Sequence, residues 1–211
     1  MELHFYPGSH ILIVKEEGKL KLKFPAWGGP ASMGTDIRMP EEPTWPGTYL
    51  IHSAKPYRTP TWPMSKIFWG TRLMDKPKRN DIWYELRNGR WGSVKNDIGI
   101  ARTDLIRLYF SMYGQMKVPN KWVFNDFGPI AIRWFKDVNG NGKLDESERL
   151  SGQMFHTTPD NEAQQALGQT VTLSSSHGCI HLKPADRDRL LSVGAFSPGA
   201  VFIVHKYHEK P

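Results

Sequence analysis

Residues 174–182, Ser-Ser-Ser-His-Gly-Cys-Ile-His-Leu, gather one thiol, two imidazoles and three hydroxyls into nine positions. Cys179 is the only cysteine of the chain, so no intramolecular disulfide can form. A lone cysteine is most often a small buried hydrophobe, but these neighbours suit another use. A thiol attacks a carbonyl only as thiolate, and its ordinary pKa is about 8.5. A nearby imidazole can take that proton. His177 lies two positions before Cys179, and in a strand two such side chains share a face. Gly178 between them lets a substrate backbone come close. The backbone N–H groups around Gly178 and Cys179 can serve as an oxyanion hole. A further imidazole, His156, lies 23 positions upstream of Cys179 in Gln153-Met154-Phe155-His156-Thr157-Thr158. The chemistry indicated is acyl transfer with Cys179 as nucleophile and histidines as its activating partners.

A second constellation spans residues 137–148, Asp-Val-Asn-Gly-Asn-Gly-Lys-Leu-Asp-Glu-Ser-Glu. It matches the calcium-loop pattern D-x-[DN]-x-[DN]-G-x5-E at every fixed position. Asp137, Asn139, Asn141 and Asp145 would offer side-chain oxygens, Lys143 its backbone carbonyl and Glu148 a bidentate carboxylate, with Gly142 making the turn. Three of these ligands carry charge. The preceding segment reads as strand, so this is an isolated structural-calcium loop, not a paired helix–loop–helix. The alternative is an Asn-Gly-rich turn with incidental acidic residues.

The elements that must position these groups are mostly strands. Ile11–Lys15 is an apolar run, Lys19–Phe24 alternates with period two, and Glu16-Glu17-Gly18 supplies the turn of a hairpin within residues 1–25. Residues 25–47 are rich in Pro and Gly and read as loop. Gly47–Ile51 reads as strand. Residues 55–80, rich in Pro, Lys and Arg, read as an exposed excursion. Trp83, Tyr84, Leu86 and Trp91 suggest short strands around an Asn88-Gly89 turn. Asp104–Tyr113 is ambiguous: its apolar spacing fits a helix capped by Asp104, or a strand. Ile130–Phe135 and Ala200–Val204 read as strands, and Pro184–Leu191 as a short helix with Pro in its first turn.

The chain has 211 residues, 39% of them hydrophobic, with 16 Pro and 19 Gly. That composition buries a real core and favours short strands and turns over a helical bundle. The formal charge is +7. It is compatible with an anionic polymer such as a bacterial cell wall. No Lys/Arg-rich run or nucleic-acid motif accompanies it, which argues against nucleic acid as partner. No stretch approaches the ~18 apolar residues of a transmembrane helix. Met1-Glu2-Leu3-His4-Phe5-Tyr6-Pro7 lacks the features of a signal peptide. The expectation is therefore export by a signal-independent route, or a leader already trimmed.

His156-Thr157, a spacer, and Ser176-His177-Gly178-Cys179-Ile180 together resemble the signature of the YkuD-type L,D-transpeptidase catalytic domain. Pro43-Thr44-Trp45-Pro46-Gly47-Thr48-Tyr49-Leu50-Ile51 is similar to that family's Thr-Pro-x-Gly-x-aromatic-x-Ile segment, with one residue inserted. The resemblance implies a mainly-β, sandwich-like fold with one or two short helices. It implies a single domain over 1–211 in which 55–125 is an insertion or lid. It also implies a Cys179 nucleophile, His156 as general base, and His177 and Gly178 lining the pocket. Thr157, whose backbone would orient His156, joins Ser176 and His181 as the expected substrate-binding set. No cofactor is required. The implied reaction forms a thioester on a peptidoglycan tetrapeptide stem with loss of D-alanine, then passes the acyl group to an amine or to water. Three features depart from the family's pattern, the missing export signal being one. The spacer between His156-Thr157 and Ser176 is somewhat long, with a small helix expected over Asn161–Ala166. His181 stands where the family usually has Arg or Asn.

Two readings compete with this one. The first is a calcium- or cell-wall-binding module whose cysteine is inert. The second is a papain-like or amidase-type cysteine hydrolase, which would place its histidine after the cysteine in chain order. A site of action in the periplasm or cell wall, without an export signal, would fit a secreted antibacterial effector. The partners expected of such an effector are a secretion machine and an immunity protein.

Overall fold

The computed structural model describes residues 1–36 and 39–211. The chain divides into two compact units: Met1–Lys55 with Ala131–Thr157 and Thr172–Pro211, and Pro56–Ile130 with Thr158–Val171. In chain order the strands are β1 (Glu2–Tyr6), β2 (Ile11–Glu16), β3 (Lys19–Trp27), β4 (Gly47–Lys55), β5 (Leu73–Lys76), β6 (Asp81–Glu85), β7 (Trp91–Ser93), β8 (Ala131–Phe135), β9 (Leu150–His156), β10 (Ile180–Leu182) and β11 (Val201–Val204). The α-helices are α1 (Val94–Ile98), α2 (Arg102–Tyr113), α3 (Pro159–Ala166) and α4 (Pro184–Ser192).

In the first unit eight strands close into a barrel in the order β1-β11-β4-β8-β9-β10-β3-β2. The expected hairpin is β2–β3, turned through Glu17 and Gly18, both at positive φ. Side chains alternate across the barrel wall because the strand period is two. Leu3, Phe5, Leu12, Val14, Ile51, Ile132, Trp134, Phe155, Ile180 and Phe202 all point to the core and are essentially solvent-free. Phe155 packs on Trp134, Phe196 and Phe202 with ring centroids 4.7–5.1 Å apart. β1 was not legible as a strand. It is one because Leu3 and Phe5 complete this core between β2 and β11.

The second unit pairs a three-stranded sheet, β5-β6-β7, with α1, α2 and α3. Its own core is Ile67, Leu73, Ile82, Val94, Leu105, Trp122 and Phe124. Residues 55–80 are therefore not a wholly exposed excursion, since Ile67 and Leu73 enter that core. The Asn88-Gly89 turn is present, with Gly89 at φ 75°. The ambiguous 104–113 segment is helical, but its cap residue is Ala101, and Asp104 sits in the first turn. The helix expected in the spacer begins two residues early, at Pro159. Thr158 caps it by accepting from the Asn161 N–H. The mainly-β class holds, and the described residues carry four short α-helices instead of one or two.

Candidate active site

The interior demand of the barrel sets which residues face away from it. Ile132, Phe155 and Ile180 occupy one row across β8, β9 and β10, and all three are buried in the core. Their chain neighbours must point to the opposite face. There Arg133 pairs with Met154, and His156 pairs with His181, which in turn pairs with Trp27 of β3. β9 and β10 are parallel, so Cys179, immediately before β10, lies beside Met154. The Met154 N–H donates to the cysteine sulfur. His156 is the next residue along β9 on Met154's face, so it lies diagonal to Cys179 across the β9–β10 pair.

The tautomer of His156 follows from its bond to a carbonyl oxygen. Nδ1 lies 3.0 Å from the Thr157 carbonyl oxygen, which can only accept, so Nδ1 carries the proton and Nε2 the lone pair. Burial pushes His156 down to about 3, with the neighbouring His181 imidazole lowering it further and the Thr157 carbonyl opposing. The rings of His156 and His181 meet edge to face at 4.8 Å. Cys179 as a residue is half-buried, so it has a reachable edge. Its sulfur is nonetheless enclosed enough that burial pushes the thiol up to about 11, against the lowering effect of the Met154 N–H and the Arg133 guanidinium. The resting pair is thus a neutral thiol and a neutral imidazole.

The turn carrying the thiol is tied down on both sides. Ser176 Oγ donates to the Cys179 carbonyl and accepts from the Gly178 N–H at 3.1 Å. Thr44 Oγ1 donates to the Gly178 carbonyl at 3.0 Å and accepts from the Gly29 N–H at 3.0 Å. The Gln153 amide bonds the Pro43 carbonyl and the Trp45 N–H, holding the 43–45 segment beside it. Gly178 has φ 106°, and a Cβ there would fall 2.3 Å from Gln153 Nε2. Behind His156, the buried Arg187 donates to Thr157 Oγ1 at 3.2 Å.

Several expectations change. His177 is not on a strand with Cys179: residues 177–178 form a bend, Gly178 breaks the alternation, and His177 is exposed. Thr157 (0% exposed), Ser176 (5%) and His181 (8%), expected to touch substrate, are buried. They brace the site, His181 through Nδ1 donating to the Ser174 carbonyl at 2.9 Å. The Gly178 N–H is engaged by Ser176, which removes it as an oxyanion donor. Sequence reasoning missed Thr44, Gln153 and Arg187 as bracing residues. Thr44 lay within a segment singled out for other reasons.

The 137–148 loop is closed by its own hydrogen bonds. Asp137 accepts from Gly140 and Gly142, Asn139 from Asn141, and Asn141 from Lys143. Asp145 accepts from Asn139, Asn141 and Ser147, which hold its carboxyl down at about 2. Among the described residues no three His, Cys, Asp or Glu side chains are grouped closely enough to hold a metal ion.

The family model for the YkuD L,D-transpeptidase catalytic domain matches residues 5–193. The chain belongs to that family. No curated protein matches. Among solved structures the chain is similar to an L,D-transpeptidase from Mycobacterium smegmatis at 18% identity, covering 97% of this chain and 58% of that one, with a TM-score of 0.37. It is also similar to an L,D-transpeptidase from Xylanimonas cellulosilytica at 9% identity, covering 97% and 59%, with a TM-score of 0.41. A third is Mycobacterium tuberculosis L,D-transpeptidase 1, at 14% identity, 97% and 60% coverage and a TM-score of 0.34. The chain spans about three-fifths of the length of these structures. No helix among the described residues is long and apolar enough to cross a membrane.

Proposed function

We propose that the protein is a peptidoglycan L,D-transpeptidase that works through a Cys179 acyl-enzyme. The observation carrying this reading is the His156 Nδ1–Thr157 carbonyl bond on the strand beside Cys179, which leaves a base lone pair on Nε2. A neutral pair suits general-base attack: His156 removes the thiol proton as sulfur bonds to the carbonyl carbon of the third stem residue. The Cys179 N–H stabilises the oxyanion. The C–N bond to the terminal D-alanine then breaks, and the imidazolium returns the proton to the departing amine. An incoming amine, or water, displaces the sulfur from the thioester and gives its proton to His156. The test is mass analysis of a disaccharide tetrapeptide incubated with the protein. Loss of D-alanine, or a cross-linked or exchanged product, is expected with the parent and absent with Cys179→Ala. An equally active Cys179→Ala protein refutes the reading.

We also propose that the 137–148 loop takes a structural Ca²⁺. Glu148 is 7% exposed, its Oε1 accepts from the Val138 N–H at the loop's start, and its Oε2 has no partner among the described residues. A bidentate ligand at loop position twelve needs that second oxygen. Calorimetry with millimolar Ca²⁺ should give heat with the parent and none with Glu148→Gln; no heat with the parent removes the site.

A further inference from the structure

The second unit holds a cavity of about 540 Å³ lined by Arg58, Lys66, Phe68, Arg72, Glu85 and Arg87 among others. The Arg58 and Arg87 guanidiniums lie over the Phe68 ring, 5.2 and 5.0 Å from its centroid. Arg72 lies 5.7 Å over the Trp91 ring. Among the described residues none of these three arginines, nor Glu85, has a side-chain hydrogen bond or a carboxylate–guanidinium partner. The rings hold the guanidiniums by cation–π attraction and leave their N–H forks unengaged. Charge is concentrated here: residues 56–130 contain 13 Lys and Arg against 6 Asp and Glu, equal to the +7 of the whole chain.

We infer that this cavity binds a zwitterionic, multiply carboxylated peptide end. Guanidinium forks match carboxylates in bidentate geometry. Glu85 makes the lining mixed, not purely cationic. It offers a partner to an ammonium and repels a compact dianion such as phosphate. The complementary ligand therefore carries two or more carboxylates and one ammonium. Resting on the peptidoglycan reading above, that chemistry is a stem peptide ending in diaminopimelate and D-alanine. Its distal diaminopimelate centre bears an ammonium beside a carboxylate, and its C-terminus bears another.

The experiment uses the full chain as Cys179→Ala, titrated calorimetrically with the diaminopimelate-containing tetrapeptide, the same peptide acetylated on its distal amine, and inorganic phosphate. Adding Arg72→Gln with Arg87→Gln should weaken tetrapeptide binding at least tenfold. Adding Glu85→Gln alone should abolish discrimination between the free and acetylated amine while strengthening phosphate binding. All these side chains except Phe68 are exposed, so the variants should fold, and circular dichroism checks that they do. Unchanged isotherms in the arginine variant, or phosphate binding the parent as tightly as the peptide, overturns the inference. Failure here is separable from failure of the proposed function. Release of D-alanine by the chain with Cys179 and all its arginines in place, and its loss in Cys179→Ala, reports on the catalytic reading alone.

Discussion

The protonation state of the Cys179–His156 pair can be read from alkylation kinetics. Iodoacetamide reacts with the thiolate, so its rate tracks the thiolate fraction. With the thiol pushed up to about 11, that fraction at pH 7.5 is roughly 3 × 10⁻⁴, against roughly 0.1 for an ordinary thiol near 8.5. Cys179 should therefore alkylate about 300-fold more slowly than a free cysteine at that pH. The rate should climb tenfold per pH unit from pH 7 to beyond pH 9, with no plateau before about pH 10. A preformed thiolate–imidazolium pair would behave oppositely, reacting fast and levelling off below pH 7. The measurement is a mass-shift time course at six pH values, with Cys179→Ala as the blank. A plateau below pH 8 refutes the neutral pair and with it the general-base step. A rate that stays near zero even at pH 11 means the sulfur is inaccessible, which refutes the nucleophile assignment.

His156 also couples stability to pH. Its folded value near 3 lies below the ordinary 6.5, so the unfolded state binds the proton more tightly. Stability is then full above pH 6.5 and falls as the pH drops towards 3. At pH 5 the loss is about 2 kcal/mol, and urea denaturation should show it shrinking in His156→Gln, while the parallel contributions of His4 and His181 remain. The same variant should lose D-alanine release by about 10²–10⁴-fold. Thr44→Val leaves the Gly29 N–H without its acceptor and the Gly178 carbonyl without its donor. It should cost about 1–3 kcal/mol by urea titration and slow acylation of Cys179, whereas parent-like values in both would show the brace to be idle. Gly178→Ala places a side chain at φ 106° and 2.3 Å from an amide that is itself held at both ends. A fall of roughly 1–3 kcal/mol, seen as a lower thermal midpoint, is expected; an unchanged midpoint would show that the turn can relax.

Local pattern made part of this molecule legible. The β2–β3 hairpin, the strand at 131–135 and the helix at 184–192 each follow from apolar spacing and turn residues within a dozen positions. The Ser-His-Gly-Cys run singled out Cys179 as the candidate nucleophile for the same reason. What stayed hidden depends on pairs distant in sequence. Thr44 and Gly178 are 134 positions apart, and no property of either residue alone advertises their bond. Depth is hidden as well. Thr157, Ser176 and His181 are polar residues close to Cys179 or His156, so proximity suggested substrate contact, yet each is buried and hydrogen-bonded within the protein. The expected strand alignment of His177 with Cys179 is absent for a backbone reason: strand geometry begins only after Cys179, and residues 177–178 form a bend.

The spacing between His156 and Cys179 is a consequence of strand direction. In an antiparallel hairpin the two residues could be a few positions apart, because a two-residue turn suffices. β9 and β10 are parallel, and a parallel pair needs a crossover of a dozen residues or more. Residues 157–179 are that crossover, and α3 lies within it. Parallel register also fixes which groups meet. It sets Phe155 against Ile180 in the core and, one residue on, His156 against His181 on the other face, while the residue before Ile180 falls beside Met154. A shift of one position would turn His156 inward and Phe155 outward, exchanging an aromatic of the core for a buried imidazole. The core's preference for Phe155 and Ile180 therefore fixes the alignment of His156 with Cys179, and a spacer of a dozen residues or more is what a parallel crossover requires.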